Sequence, residues 1–361
     1  MALVASFHHF STVDDEGTLR HYCLGSGTSG LCCLKTGIIS TPSSVVNVSC
    51  GGEFVVLVDS SGLVYSFGNN ESGCLGIGNL EKCKSIQQVS SLSNIIKVAC
   101  GRSHWICIDS NGQLFGCGDN TDLLALGIEE ENKFSTPFLL GLDDYCVDIA
   151  CGSHYSIVVN NEGEVYVAGN NQQNQLGNNG EKHQLWNKNP ELQNIKSIAC
   201  GVCHTLALDR DDVIHAFGDN DYGQLGREKK QDRGIEPVNI VVTSPVSSIV
   251  CGGFHSLVLE ENGTLWVFGD NSYEQLGNPN YGKYVHTPTK YPVKVLAAAG
   301  GYETSIVQTD SDIRGFGQCK ESELSKFGIC ERRSFSFSPE LQNIVGTIMK
   351  ERYKRVKSAR K

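Results

Sequence analysis

A frame of about fifty residues recurs along the chain, and such a period demands a fold built from stacked or ringed copies of one unit. The run Cys50-Gly51-Gly52-Glu53-Phe54, followed by Asp59-Ser60-Ser61-Gly62 and then Tyr65-Ser66-Phe67-Gly68-Asn69-Asn70, reappears two hundred residues later. There it reads Cys251-Gly252-Gly253-Phe254-His255, Glu260-Glu261-Asn262-Gly263 and Trp266-Val267-Phe268-Gly269-Asp270-Asn271. The same frame starts at Cys100, Cys151, Cys200 and Ala299, so that successive starts are 48 to 51 residues apart. A degraded copy opens the chain, where Ala5-Ser6-Phe7-His8-His9 leads into Asp14-Asp15-Glu16-Gly17.

Each copy reads as a small antiparallel sheet. A strand such as Ile95 to Ala99 runs into the Cys-Gly pair, and a second, such as His204 to Leu208, alternates with period two. A turn of the type Asp109-Ser110-Asn111-Gly112 reverses the chain, with glycine taking the positive φ that such turns need. A third strand runs into a Gly-Asp-Asn turn, and a Leu-Gly pair follows at Leu75, Leu126, Leu176, Leu225 and Leu276. Near the C-terminus, Pro339-Glu340-Leu341-Gln342-Asn343-Ile344 echoes Pro190-Glu191-Leu192-Gln193-Asn194-Ile195, the approach to the Cys200 copy. The expectation is an all-β, seven-bladed β-propeller whose first blade is closed by the C-terminal strand. One domain spans residues 1–349, and a basic tail follows at 350–361. The period excludes the Trp-Asp propeller repeat, which runs to roughly 40–45 residues. Kelch propellers share the period, but the three tryptophans here, Trp105, Trp186 and Trp266, take no common place in the frame.

The frame Cys-Gly-x-x-His, then Gly-x-Leu/Val-Tyr/Phe-x-Phe-Gly-x-Asn, then Gln-Leu-Gly, resembles the repeat of the regulator of chromosome condensation 1 (RCC1) superfamily. The resemblance covers essentially the whole chain and implies the seven-bladed RCC1-type propeller. In the founding member, the turn after each Cys-Gly pair presents acidic and histidine side chains to the small GTPase Ran and helps to expel GDP. Carried over by frame, that partner-binding face is Glu53, Arg102, His104, His154, His204, His255 and Glu303. The founder also drives a wedge into its partner from a blade hairpin. Here the hairpin Gly118 to Gly127 is only one residue longer than its counterparts, a departure from the family pattern, since one residue does not make such a wedge.

The histidines at the fourth position after each Cys, His104, His204 and His255, have a plainer role available: bonding to the next blade. The non-repeating neighbours Glu53, Arg102, His154, Cys203, Tyr302 and Glu303 then carry the individuality of the face. The periodic cysteines fall at one position in separate blades, too far apart for disulfides, and read as small buried hydrophobes. Cys200-Gly201-Val202-Cys203-His204 matches the haem-attachment pattern, yet Cys200, Gly201 and His204 are the repeat's own residues. Gly25-Ser26-Gly27-Thr28-Ser29-Gly30 and Gly277-Asn278-Pro279-Asn280-Tyr281-Gly282-Lys283 imitate nucleotide-binding loops without the helices those need. No cofactor and no metal site are therefore expected.

The charge is −10 over 361 residues, with 30 basic and 40 acidic side chains, the wrong sign for a protein held on nucleic acid by phosphate contacts. No apolar run reaches the roughly 18 residues of a membrane helix, and the first residues lack a secretory pattern. The expectation is an intracellular protein, cytoplasmic or drawn to the nucleus by its basic tail, with its 16 cysteines mostly reduced. The functional expectation is binding and regulation of a small GTPase of the Ran or Rho type, as a guanine-nucleotide exchange factor and not otherwise an enzyme. The alternative is a non-catalytic interaction scaffold.

Overall fold

The computed structural model describes residues 2–5, 9–13, 16–23, 37–41, 43–121, 123–178, 180–228, 233–238, 240–318 and 334–336. All regular structure among them is β-strand, grouped in four-stranded antiparallel sheets of strands consecutive in sequence. The first frame-bearing blade runs Val45–Cys50, Phe54–Asp59, Val64–Gly68 and Cys83–Gln88, each strand bonded to the next. Five further blades repeat it over residues 95–139, 146–189, 195–237, 246–290 and 297–336.

The expected fold class needs correction in its count and its closure. The blades built on the frame number six, not seven, and every one is an open sheet. No sheet among the described residues joins the two ends of the chain. The N-terminal sheet takes its strands, Ala2–Ala5, His9–Val13, Leu19–Cys23 and Gly37–Ile39, from the start of the chain alone. The last described strand, Ser334–Ser336, pairs with Ile313–Gly317 in its own blade. With four strands of its own, the N-terminal sheet is already as wide as the other blades. The N-terminal sheet meets its neighbours by packing instead: Ala2–Ala5 lies beside both Val45–Cys50 and Ala297–Gly300. The echo at 339–344, the glycine run 25–30 and the basic tail lie outside the described residues.

The frame follows from burial. The second strand of each blade, Phe54–Asp59 for example, is buried along its whole length because both of its faces meet neighbouring blades. Leu75, Leu126, Leu176, Leu225 and Leu276 of the Leu-Gly pairs are buried between blades. The preceding Asn folds the loop that delivers them: Asn70, Asn120, Asn171, Asn220 and Asn271 each accept the backbone N–H of that leucine through Oδ1. In the longer hairpin Gly118 to Gly127, Asn120 still accepts from Leu126 N at 2.8 Å, so the added residue is taken up inside the loop.

Candidate functional site

The first strands converge on a central channel lined by Cys50, Cys100, Cys151, Cys200 and Cys251. Their thiols are spent on packing and on backbone. Cys151 Sγ donates to Ala99 O and Cys251 Sγ to Ala199 O, in each case across to the preceding blade. Burial pushes the Cys50 and Cys151 thiols up to about 12, so they stay protonated and unreactive. No group of three metal-ligating side chains occurs among the described residues.

At one end of the channel the chain turns after each Cys-Gly pair, and the turns are stitched together. Gly52 N donates to Arg102 O, Arg102 N to Ser153 O, Ser153 N to Val202 O, Val202 N to Gly253 O, and Gly253 N to Tyr302 O, at 3.1 to 3.4 Å. Each turn is also closed on itself, as where Gly201 N donates to His204 O at 2.8 Å. The mouth is thus a continuous belt of backbone hydrogen bonds running through all six frame-bearing blades. Side chains at the second and third frame positions stand on a rigid base.

The fourth frame position points inward. His104, His204 and His255 are fully buried, and their Nε2 atoms lie 2.9, 3.1 and 2.7 Å from Ser156, Ser256 and Ser305 Oγ of the next blade. Ser156 Oγ donates to Ala125 O and Ser256 Oγ to Gln224 O, so each must accept its second bond from a histidine N–H. In His104 and His204 Nε2 therefore carries the proton, and Nδ1 of His204 and of His255 has no hydrogen-bond partner. Burial holds His104 and His204 down at about 3 and His255 at about 4, which keeps the rings neutral. Tyr155 fills the same slot, donating through Oη to His204 O at 2.6 Å. The recurring spacing of Gly and ring also has a steric cause: a Cβ on Gly201 would sit 2.2 Å from His204 Cε1. The haem pattern has no use here, because the His204 ring is buried and its Nε2 faces Ser256.

The expected partner face thus divides into two tiers. His104, His204 and His255 lie inside, bridging blades. Glu53, His154 and Glu303 are half-buried at the third position, and Arg102 is exposed at the second; in the last blade the strand end that matches the cysteines is Gly300, not the expected Ala299, and positions there count from it. Glu53 Oε2 accepts from Asn69 Nδ2 at 2.9 Å. Partial burial and the nearby Arg102 charge hold His154 below its ordinary value, against an opposing pull from Asp119. Partial burial and the charge of Asp270 raise Glu303.

Two sets of residues at the mouth, Tyr302 apart, were absent from the face expected from the sequence. One is the hydroxyl set Ser156, Thr205, Ser256 and Ser305, for which a small hydroxyl recurring at the fifth frame position was a legible signal. The other is an aromatic run. Tyr302 and Phe254 rings lie 5.4 Å apart, Phe254 and Tyr222 5.2 Å, and Tyr222 and Tyr284 5.2 Å. These residues come from three blades and from different frame positions, so no spacing announces them.

A family model described as RCC1-like domain matches residues 12–359. The human regulator of chromosome condensation is 27% identical over 165 residues, 43% of this chain and 38% of its own length. The Xenopus laevis regulator is 24% identical over 320 residues, 84% of this chain and 66% of its own length. The chain thus spans less than two thirds of these relatives. Among solved structures, Prp20p of Saccharomyces cerevisiae superposes with a TM-score of 0.74 at 20% identity, covering 98% of this chain and 96% of that one. That likeness is one of fold.

Proposed function

The chain belongs to the RCC1-like domain family, and from that premise we propose that it binds and regulates a small GTPase through the channel mouth, as a guanine-nucleotide exchange factor. The observation that carries the reading is the backbone belt. It fixes Glu53, Arg102, His154 and Glu303 on one rigid rim while His104, His204 and His255 lock the blades beneath them. Rigid side chains lose little entropy on binding, and carboxylates held on a stiff base compete well for the magnesium and phosphate contacts that retain GDP. The Saccharomyces cerevisiae relative Prp20p is characterised by its binding to Gsp1p and histones, which supports a protein partner of this kind. The reading includes an intracellular location, cytoplasmic or nuclear.

A second reading, a scaffold that binds without accelerating release, is favoured by the hairpin Gly118 to Gly127. Its added residue is absorbed between Asn120 and Leu126. Release of fluorescent GDP from a panel of small GTPases, Ran included, separates the two. The intact protein is compared with a variant carrying Arg102→Ala, His154→Ala and Glu303→Gln, which leaves the buried histidines alone. Acceleration lost in the variant supports exchange at this rim. Binding to a GTPase without acceleration supports the scaffold, and neither binding nor acceleration across the panel overturns the GTPase reading.

A further inference from the structure

We infer that one sector of the channel mouth, walled by Tyr222, Phe254, Tyr284 and Tyr302, receives a lysine or arginine side chain from a basic segment of a protein partner. The inference rests on the reading above only in taking this face as the one that docks a partner. All four rings are partly exposed, although aromatic side chains of this size gain most from complete burial. Gly253 permits the close packing, since a Cβ there would lie 2.4 Å from Tyr302 O and 2.9 Å from Tyr302 Cδ2. The result is a set of ring faces at a solvent-open rim, and ring faces attract cations.

Carboxylates of the matching sign stand around the rings, against the opposing charge of Arg102, which acts on Tyr302. Asp270 acts electrostatically on Glu303, Tyr222 and Lys283, and Asp219 acts on Tyr222, so carboxylates stand behind the aromatic wall. Asp219 is raised by partial burial and by Asp221, as Glu303 is by partial burial and Asp270. Both carboxylates would gain from an added positive charge. Arg233 already approaches Asp219 and Asp221 at 3.8 and 3.7 Å on the outer side.

An ammonium occupies the sector now, and it is the chain's own. Lys283 Nζ lies 5.1 Å from the centroid of the Tyr284 ring, and the hydrogen bond to Tyr284 and the Asp270 charge raise its pKa. Lys283 is exposed, so its flexible stem can swing aside at small cost. It therefore shows the kind of group the sector holds and competes with any incoming one. The occupant is a protein side chain rather than a free amine because the sector is an open rim and not an enclosing pocket. The net charge of −10 over the whole chain draws basic segments toward it.

Fluorescein-labelled hexalysine titrated with the full chain tests this by anisotropy, at about 0.15 M salt, where diffuse charge attraction is screened beyond roughly 8 Å. Labelled hexaglutamate is the control. Lys283→Ala removes the internal competitor and tightens hexalysine binding about threefold or more. Lys294→Ala removes the same charge at a hairpin remote from the aromatic wall, where Nζ is shared by Asn262 and Thr264, and changes it less than about twofold. Tyr222→Leu keeps apolar bulk, loses the ring face and weakens binding about threefold or more. Equal effects of the two lysine variants, no effect of Tyr222→Leu in a folded protein, or no binding of hexalysine would each overturn the inference. GDP release plays no part in this assay, so the exchange reading and the cation-receiving sector can fail separately.

Discussion

His204 Nε2 lies 3.1 Å from Ser256 Oγ, and Ser256 Oγ lies 2.8 Å from Gln224 O, a carbonyl in the blade of His204 itself. The hydroxyl of one blade is thereby held between a ring and a carbonyl of the blade before it. His104, Ser156 and Ala125 repeat the arrangement. The frame's histidine is thus first an inter-blade bolt, and its period follows from the number of interfaces to be bolted.

Truncating one bolt should cost about 2–4 kcal/mol, because His204→Ala opens a cavity beside Gly201 and leaves Ser256 with an unmet bond in the interior. Ser256→Ala should cost about 1–3 kcal/mol for the histidine N–H and the Gln224 carbonyl it strands. Urea unfolding of both single variants and the double variant measures this. The double variant should lose less than the sum of the singles, and strict additivity would refute the coupling.

The same histidines make the fold sensitive to acid in a defined window. Their folded values, about 3 for His104 and His204 and about 4 for His255, lie below the ordinary 6.5 because burial opposes the charged ring. Between these limits the unfolded chain binds protons that the folded chain does not, so stability falls as pH drops from about 6.5 toward 4. Each ring contributes a slope of about 1 kcal/mol per pH unit. Thermal melts from pH 7 to pH 4.5 should show a steep fall in Tm, and His255→Gln should flatten it.

Glu260 makes a second, lower window. Burial would raise its carboxyl, but Thr243 N and Oγ1, Ser244 N and Asn262 Nδ2 donate to Oε2 and Trp266 Nε1 to Oε1, and these bonds bring it down to about 2. Its contribution is complete above the unfolded value of 4.5 and is lost as pH falls from there toward 2. Glu260→Gln should cost about 1–3 kcal/mol at pH 7, since a neutral amide oxygen is a weaker acceptor for the same donors. Denaturant midpoints at pH 7 check the magnitude.

The channel thiols should be nearly inert in the folded protein. With Cys50 and Cys151 pushed up to about 12 by burial, the thiolate that reacts is scarce at pH 8 and shielded as well. Peptide mapping after brief iodoacetamide treatment should find Cys50, Cys100, Cys151, Cys200 and Cys251 unmodified in native protein and modified in urea. Rapid native labelling at these positions would show that the blades do not pack as described.

Steric demand shows at Gly201, where the backbone needs no positive φ but the space above Cα belongs to the His204 ring. Gly201→Ala should destabilise by about 1–3 kcal/mol, the range of overpacking, in denaturant melts. In the His204→Ala background the same change should cost less, and the part that remains comes from Gly252 O, 2.7 Å from the added Cβ.

What the sequence determined by itself was the unit: the fifty-residue period, the strand alternation, the glycine turns and the Leu-Gly loops are local patterns, repeated often enough to be read without neighbours. The plainer role of His104, His204 and His255 was also legible, because a residue that recurs at one frame position in three blades answers a need those blades share. Only the tertiary structure decided how the ends of the array pair. The N-terminal sheet takes all four of its strands from the start of the chain, and Ser334–Ser336 pairs with Ile313–Gly317, because strand pairing depends on which sheet edges lie close in space, which a local pattern does not encode. It also decided which residues form the outer tier of the mouth. Tyr222, Phe254, Tyr284 and Tyr302 lie up to eighty residues apart and at unlike frame positions, and they meet because turns of three blades and the start of the outer strand Tyr284–Lys290 come together on one face. Periodicity reports what is the same in each blade, and a binding face is made from what differs.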